Sequence, residues 1–319
     1  MTRSRFTFNL TDLAPLPAGP ARAVAYLGTP DVAVAPLRAL VGAGVNVVVV
    51  VTGRDKRRGR GGATAPSPVK SAALELGLRV EHDVDSVVDA GADLGVVVAY
   101  GRIVPASILR VVPMLNVHFS LLPRWRGAAP VERAVLAGDD VTGVCIMRVV
   151  EGLDEGEVYD TVRVPVRSDH MLSSLRAELV EASLEPLLRV VRHGAGESRP
   201  QSGDVVYARK IGTDDLRIDW SRAVSDVWAV TRLEAAWFLY ADRRIRLVRA
   251  RPGADSPATG LRPGEVIDVN RDGVLVACGT GTLVIERVRP EGRHDMDAAE
   301  WARGARLVDA SRGTAARLQ

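Results

Sequence analysis

Aromatic side chains are scarce in this sequence, because Phe, Trp and Tyr make up only 4% of its 319 residues. Val, Ala and Leu recur throughout, so we expect hydrophobic cores built from aliphatic side chains. Cysteine is rarer still. Cys145 and Cys278 lie far apart in the sequence and match no metal-ligand spacing. We therefore expect two buried or half-buried free thiols in a reducing compartment.

Long apolar runs are also missing. The longest, at residues 45–51, is interrupted by Asn46 and falls far short of the ~20 residues that a membrane span needs. Residues 1–22 contain Arg3 and Arg5 but no apolar stretch long enough for a signal peptide, and we predict an N-terminal extension there. These features lead us to expect a soluble, cytoplasmic protein.

The chain has only a small excess of positive charge, with a formal net charge of +3. The local distribution of charge therefore matters more than the total. One positive cluster is opposed only by Asp55 and consists of Arg54, Lys56, Arg57, Arg58 and Arg60. Glycines within and beside it favour a mobile loop over a helix. Two interpretations stay open: a solvated surface loop without a partner, and an arm that contacts nucleic-acid phosphates.

Two sequence patterns divide the rest of the chain. Strand-length apolar runs alternate with helical patterns over residues 23–198, which predicts an α/β domain with a parallel sheet covered by helices on both faces. Residues 199–206 are predicted to be a linker. Residues 207–319 contain short strand-length runs separated by turn residues, with one helical pattern at 224–232, and predict a small β-barrel or sandwich.

Several elements of the first domain are predicted individually. We expect strands at residues 23–27, 45–51, 78–80, 94–100, 115–118 and 143–150. We expect helices at residues 32–44, 69–76, 131–137 and 172–193, the last with leucines spaced for one buried face. Residues 120–130 contain Pro and Gly and are predicted to be irregular.

Polar residues follow two of these predicted strands, at the carboxyl edge where sites form in open α/β sheets. Asn116 and His118 are two residues apart, so their side chains share one face of a strand. Asp154 lies in a turn bounded by Gly152 and Gly156. Each has an ordinary alternative role, since a lone strand-end histidine is more often structural and an aspartate often caps such a turn.

Together these three residue types suit the transfer of an acyl group to an amine. Attack on a formyl carbon creates an oxyanion, which a protonated imidazole and a side-chain amide can stabilise. A nearby carboxylate favours the charged imidazole and can help to remove a proton from the attacking ammonium group, directly or through water. No serine or cysteine nucleophile stands out and no cluster has metal-ligand spacing, so we expect direct transfer without a metal.

The segment from Asn116 to Pro123, with the sequence Asn-Val-His-Phe-Ser-Leu-Leu-Pro, resembles the catalytic domain of the folate-dependent formyltransferases. The later Leu-Asp-Glu-Gly of residues 153–156 belongs to the same motif. Further similarities lie at residues 27–30, 66–70, 126–130, 207–211, 218–220 and 304–306. The resemblance covers residues 24–306 and is strongest to the longer members, which formylate methionyl-tRNA.

This resemblance implies a fold, a set of substrates and roles for individual residues. The fold is a Rossmann-like formyltransferase domain followed by an OB-like β-barrel that binds tRNA. The catalytic residues are Asn116, His118 and Asp154. The formyl donor is 10-formyltetrahydrofolate, and the residues implied to contact it are Val98, Tyr100, Ser120, Leu121, Leu122 and Pro123. The basic loop, with Arg54, Lys56, Arg57, Arg58 and Arg60, contacts the acceptor end of initiator methionyl-tRNA. We expect the protein to act as a monomer.

Two other functions remain open at this point. An amino-sugar-nucleotide N-formyltransferase would use the same first domain and donor, but it needs only one or two phosphate contacts rather than a loop with five cations. A non-catalytic RNA-binding protein would not require the three polar residues of the motif. Phe119 stands where the family usually has a small residue or proline, and Glu155 stands where threonine or alanine is usual.

Overall fold

The structure is a computed structural model that describes residues 12–57, 64–253, 261–309 and 314–319. Its contacts divide the chain into two compact units. The first unit comprises Met1–Pro130, Val141–Pro165 and Arg176–Arg209. The second comprises Val131–Asp140, Val166–Leu175 and Lys210–Gln319, so it includes two short segments from within the first two thirds of the sequence.

Strands and helices alternate along the chain up to the end of the first unit. The strands are β1 (Val24–Gly28), β2 (Val47–Val51), β3 (Lys56–Arg57), β4 (Thr64–Ala65), β5 (Val80–Glu81), β6 (Leu94–Val98), β7 (Met114–His118), β8 (Arg124–Gly127), β9 (Val141–Arg148), β10 (Val158–Pro165) and β11 (Val206–Ala208). The helices are α1 (Val34–Gly42), α2 (Pro68–Glu75), α3 (Ser86–Asp89), α4 (Ala106–Leu109), α5 (Pro130–Ala137) and α6 (Leu172–His193).

A seven-stranded sheet in the order β10-β9-β7-β6-β1-β2-β5 forms the first unit. The strands from β7 to β5 in this order are parallel to one another, and β9 pairs antiparallel with both β7 and the edge strand β10. Every residue of β1 and β6 is buried, as expected for parallel strands covered on both faces. The predicted α/β class is therefore confirmed, while β10, which exposes Thr161, Arg163 and Pro165, has no counterpart in the prediction.

Local capping explains where α2 begins. Ser67 is the N-cap and its hydroxyl accepts a hydrogen bond from the Lys70 backbone amide at 3.0 Å. Pro68 occupies the first turn, where the missing N–H has no helical partner to lose. The helix therefore begins at Pro68, shortly after β4.

The prediction of an irregular segment at residues 120–130 is wrong for residues 124–127, which form β8. This strand pairs in parallel with β11, placing Arg126 opposite Tyr207. Gly127 has a φ of 118°, and a side chain there would approach the Ala208 carbonyl oxygen to 2.9 Å. The pairing partner is remote in sequence, so local composition carries no signal for it.

The second unit is built around an antiparallel sheet. Its strands are β12 (Trp237–Tyr240), β13 (Arg243–Pro252), β14 (Val266–Asn270), β15 (Gly273–Ala277), β16 (Thr282–Pro290), β17 (Met296–Asp297), β18 (Val308–Asp309) and β19 (Thr314–Ala315). The strand order is β12-β13-β16-β15-β14, with β17 paired to β16. The helix α7 (Val224–Arg232) matches its prediction, whereas β12 and the helix α8 (Ala298–Ala305) were not predicted.

Mainly aliphatic cores, as predicted from composition, are found in both units, and that of the second unit also contains a group of aromatic side chains. In the second unit Phe238 packs edge-to-face against Trp220 and Trp301, with ring centroids 5.8 and 5.9 Å apart. These three rings add large buried surfaces to the core of this small β-rich unit. Among the helices of the described residues, none combines the length and apolarity required to cross a bilayer.

Candidate active site

The polar residues predicted from the sequence lie on β7 and in the turn between β9 and β10. After β6 the chain turns through Ala99 and Gly101, whose φ angles are 45° and 74°. Asn116 and His118 are on β7 with Val117 between them, so their side chains lie on the same face of the sheet. Both residues line one cavity, as expected for an open α/β sheet.

Two neighbours orient the imidazole of His118, which is 5% exposed. Its Nε2 lies 2.9 Å from the backbone carbonyl oxygen of Trp125, which can only accept, so Nε2 carries a proton and donates it. Its Nδ1 faces Oδ2 of Asp154 at 3.6 Å. Nδ1 is therefore the ring nitrogen that is able to take up and release a proton beside the carboxylate.

Asp154 occupies the turn between β9 and β10. Its φ of 52° is a left-handed conformation, which costs a non-glycine residue about 1–2 kcal/mol. Its Oδ2 accepts a hydrogen bond from the Gly127 backbone amide at 2.8 Å. Trp125 and Ala99 also have positive φ angles, so strained residues cluster around this site, a distribution typical of functional sites.

The cavity has a volume of about 640 Å³, within the range of roughly 300–1,000 Å³ that is common for small-molecule sites. Its polar lining consists of a few side chains, namely Arg102, Asn116, His118, Glu151 and Asp154. Its apolar lining includes Val97, Tyr100, Ile103, Val104, Phe119, Met147, Val149 and Leu153. Mainly apolar walls with a few convergent polar groups are typical of a small-molecule site.

The structure separates the residues implied to contact the folate into two groups. Tyr100 lines the cavity together with the three proposed catalytic residues, whereas Val98 is fully buried within β6 and is not part of the lining. Ser120 is also buried and donates a hydrogen bond to the Arg124 carbonyl oxygen at 2.6 Å. The remaining residues are also outside the lining, namely Leu121, Leu122 and Pro123. Contact between these residues and the donor stays a prediction.

Tyr100 is held where three strand ends meet. Its carbonyl oxygen accepts a hydrogen bond from Thr29 Oγ1 at 3.3 Å, and that hydroxyl accepts one from the Gly53 amide at 3.2 Å. Burial raises the pKa of the Tyr100 hydroxyl above its usual value, so the group stays neutral at physiological pH. The Thr29 bridge therefore connects the ends of β1, β2 and β6 beside the cavity.

The basic loop emerges next to this region. Arg54, Lys56 and Arg57 are exposed, while Arg58 and Arg60 lie outside the described residues. Lys56 and Arg57 in β3 pair with β4, so the described ends of the loop form a short antiparallel ladder. Asp55 joins the loop to α2 through an ion pair, with both carboxylate oxygens 2.8 Å from Lys70 Nζ.

Two family models match the chain on either side of residue 200. The model described as formyl transferase matches residues 22–191, and the model described as formyl transferase, C-terminal domain, matches residues 210–306. The chain belongs to the formyltransferase family. The matched regions include both the cavity and the antiparallel sheet of the second unit.

Named relatives of this formyltransferase are similar over nearly their whole length. The methionyl-tRNA formyltransferase of Symbiobacterium thermophilum is 41% identical over 88% of this chain and 92% of its own. The methionyl-tRNA formyltransferase of an Arthrobacter species is 42% identical over 88% of this chain and 96% of its own. That of Neisseria meningitidis serogroup B is 37% identical, covering 89% and 97% of the two chains.

Solved structures share the fold of this formyltransferase at low sequence identity. HypX from Aquifex aeolicus, in complex with tetrahydrofolic acid, has a TM-score of 0.62 at 17% identity and covers 92% of this chain and 48% of its own. An N-formyltransferase from Helicobacter canadensis, in complex with folinic acid and dTDP-3-aminofucose, has a TM-score of 0.59 at 12% identity. It covers 83% of this chain and 98% of its own, and both likenesses concern the fold alone.

The second unit of this formyltransferase has a strongly basic sheet surface, which we name the arginine face. It consists of the exposed side chains of Arg244, Arg246, Arg249, Arg251, Arg287 and Arg289. Arg246 pairs with Arg289 and Arg249 pairs with Arg287 across β13 and β16, which places both pairs on the side opposite the core. Glu286 and Asp295 form ion pairs with three of the six guanidinium groups.

Proposed function

We propose that this chain transfers the formyl group of 10-formyltetrahydrofolate to the α-amino group of methionyl-tRNA, for use in translation initiation. The observation that carries the proposal is the convergence of Asn116, His118 and Asp154 on a single mainly apolar cavity. Their geometry suits formyl transfer to an amine. The methionyl-tRNA formyltransferases similar to this chain over nearly their whole length support the choice of substrate.

Each of the three residues has a separate role in the proposed reaction. The Asn116 amide donates a hydrogen bond to the formyl oxygen, where negative charge develops as the amine attacks. His118 acts through Nδ1, because the Trp125 carbonyl holds the proton on Nε2. Asp154 stabilises the protonated ring and accepts a proton from the amine through that ring or through water.

Recognition of an RNA substrate is proposed for two basic surfaces. Arg54, Lys56 and Arg57 stand exposed at the base of the loop that we expect to meet the acceptor end. The arginine face, on the OB-like domain that we propose for residues 207–319, is suited to contact phosphates along the tRNA body. Both surfaces present more positive than negative side chains. This charge is more than an amino-sugar nucleotide with two phosphates requires.

A direct test offers the purified chain several acceptors with the same donor. The protein is incubated with 10-formyltetrahydrofolate and initiator methionyl-tRNA, elongator methionyl-tRNA or dTDP-amino sugars, and the products are analysed by mass spectrometry. We expect a mass gain of one formyl group on initiator methionyl-tRNA. The same reaction with the uncharged tRNA serves as a control, because it lacks the amine of the aminoacyl group.

Two results would contradict the proposal in different ways. Formylation of an amino-sugar nucleotide without formylation of methionyl-tRNA would favour the alternative N-formyltransferase. Tight tRNA binding without any formyl gain would favour a non-catalytic RNA-binding protein. We further propose that the enzyme acts as a monomer and works in the cytoplasm, where aminoacyl-tRNA is used.

A further inference from the structure

Gln201 uses both heavy atoms of its side-chain amide in hydrogen bonds next to the catalytic residues. Its Oε1 accepts hydrogen bonds from Arg126 Nε at 3.0 Å and Nη2 at 2.7 Å. Its Nε2 donates to the backbone carbonyl oxygens of Asp154 and Gly156, both at 2.8 Å. The side chain therefore connects an arginine of β8 to the turn that carries the proposed catalytic carboxylate.

The two hydrogen bonds donated by Gln201 hold the main chain of a turn whose backbone conformation is unfavourable by itself. Asp154 has a positive φ, so surrounding contacts must hold it in this conformation. Arg126 adds a second contact, because its Nη1 lies 3.3 Å from Oε1 of Glu155. Gln201 thus holds the main chain of the turn, Arg126 holds the Glu155 side chain, and the Gly127 amide binds the Asp154 carboxylate.

We propose that Gln201 is a positioning residue for Asp154, which makes the segment after α6 a working part of the active site. This inference rests on the proposed function. Gln201 is not part of the cavity lining, so it acts through the turn and not on the substrate. Reactive groups need placement to within a fraction of an ångström, and a misplacement of about 1 Å can cost as much as 10²-fold in rate.

The decisive variant is Gln201→Glu, with Ser202→Ala as its matched control. A glutamate keeps an acceptor for Arg126 but replaces two N–H donors with an oxygen that faces two carbonyl oxygens. Ser202 is exposed and adjacent. With 10-formyltetrahydrofolate and methionyl-tRNA, we expect kcat of Gln201→Glu to fall at least about tenfold, with both KM values within about twofold. Ser202→Ala should keep its native kcat.

A second variant at position 201 provides the same test if the glutamate variant does not fold. Gln201→Met removes donor and acceptor at similar volume, and it should lower kcat in the same way if the glutamate variant does not fold. Thermal melting of each variant identifies those that remain folded. Native kcat in a folded variant at position 201 would overturn the positioning role, and so would a rise in KM with kcat unchanged.

An Asp154→Asn background separates this inference from the proposed function. If Gln201 acts through Asp154, Gln201→Glu should lower the residual kcat of that background no further. A further tenfold loss would overturn the inference. Near-native turnover of Asp154→Asn alone would instead overturn the catalytic assignment. Loss in Asp154→Asn, together with native turnover in the Gln201 variants, would overturn the positioning role only.

Discussion

His118 is held between a carbonyl oxygen and a carboxylate, and this arrangement assigns different tasks to its two nitrogens. The Trp125 carbonyl accepts from Nε2, so the orientation of the ring does not depend on the substrate. Nδ1 faces Asp154 at 3.6 Å, a separation that can shorten when a proton is shared. We therefore expect the two residues to act as one acid–base unit rather than as independent groups.

Replacing either residue tests this acid–base unit. We expect His118→Ala and Asp154→Asn each to lower kcat by at least ~10²-fold, because a positioned acid–base group contributes ~10²- to 10⁴-fold. Binding of the folate, measured by fluorescence quenching, should persist since the apolar walls are unchanged. His193→Gln, at the exposed end of α6, is the control. Near-native turnover in either active-site variant would remove that residue from the mechanism.

Burial alone changes the acidity, and with it the reactivity, of the two cysteine thiols. Cys145 and Cys278 are both free and buried, as predicted. Burial raises the pKa of Cys278 to about 11 and also raises that of Cys145, because the thiolate is poorly solvated. The reactive thiolate of Cys278 is therefore a minor species below its raised pKa and becomes populated only as the pH approaches that value.

Alkylation measures this effect directly. At pH 8 a group with a pKa of about 11 has roughly one thiolate in a thousand molecules, so iodoacetamide should label the folded protein very slowly. Both cysteines should react within minutes in guanidinium chloride, where burial is lost. Mass spectrometry of the intact protein follows the two additions. Rapid modification of the folded protein at pH 8 would show that the thiols are accessible.

At the scale of an element, we expect the positive charge of the basic loop to make tRNA binding depend on salt concentration. Its described end is fixed by the Asp55–Lys70 ion pair and by the β3–β4 ladder. We expect Arg54→Gln, Lys56→Gln and Arg57→Gln together to weaken tRNA binding at low salt. We also expect the slope of log Kd against log salt to fall by roughly 1–3, because each lost phosphate contact removes about 0.7–0.9 from that slope.

A matched control separates local contact from overall charge. Arg192→Gln removes one exposed cation from the end of α6, and it should leave the salt slope unchanged. Filter binding or fluorescence anisotropy at salt concentrations from about 50 to 300 mM supplies the slopes. An unchanged slope in the triple loop variant would mean that these three side chains touch no phosphate.

Whether an element could be predicted from the sequence depended on where its partners lie. The helix at residues 172–193 and the buried parallel strands were predictable, because their periodicity and valine content are local signals. β8 and β11 were not, since each becomes a strand only by pairing with the other. Asn116, His118 and Asp154 were found from their motif, whereas Gln201 lay in a predicted linker and only its contacts reveal it.

The division of the whole molecule likewise depends on contacts that local patterns do not show. The second unit includes Val131–Asp140 and Val166–Leu175, which lie within the range predicted for the first domain. Arg133 binds Asp215 through two hydrogen bonds of 3.0 Å, with side chains only 12% and 9% exposed. Arg232 donates to the carbonyl oxygens of His170 and Arg167 at 2.6 and 2.8 Å.

A fragment of residues 1–209 should therefore be much less stable than the full chain, although it contains all of the first unit. It retains residues 131–140 and 166–175 but lacks residues 210–319, with which these two segments form the second unit, and it therefore loses contacts such as Arg133–Asp215. We expect its thermal midpoint to lie at least about 10 °C below that of the full chain. Adding residues 210–319 as a second chain should restore part of this loss. An unchanged midpoint in the fragment would show that the segments at 131–140 and 166–175 do not depend on the C-terminal part for their stability.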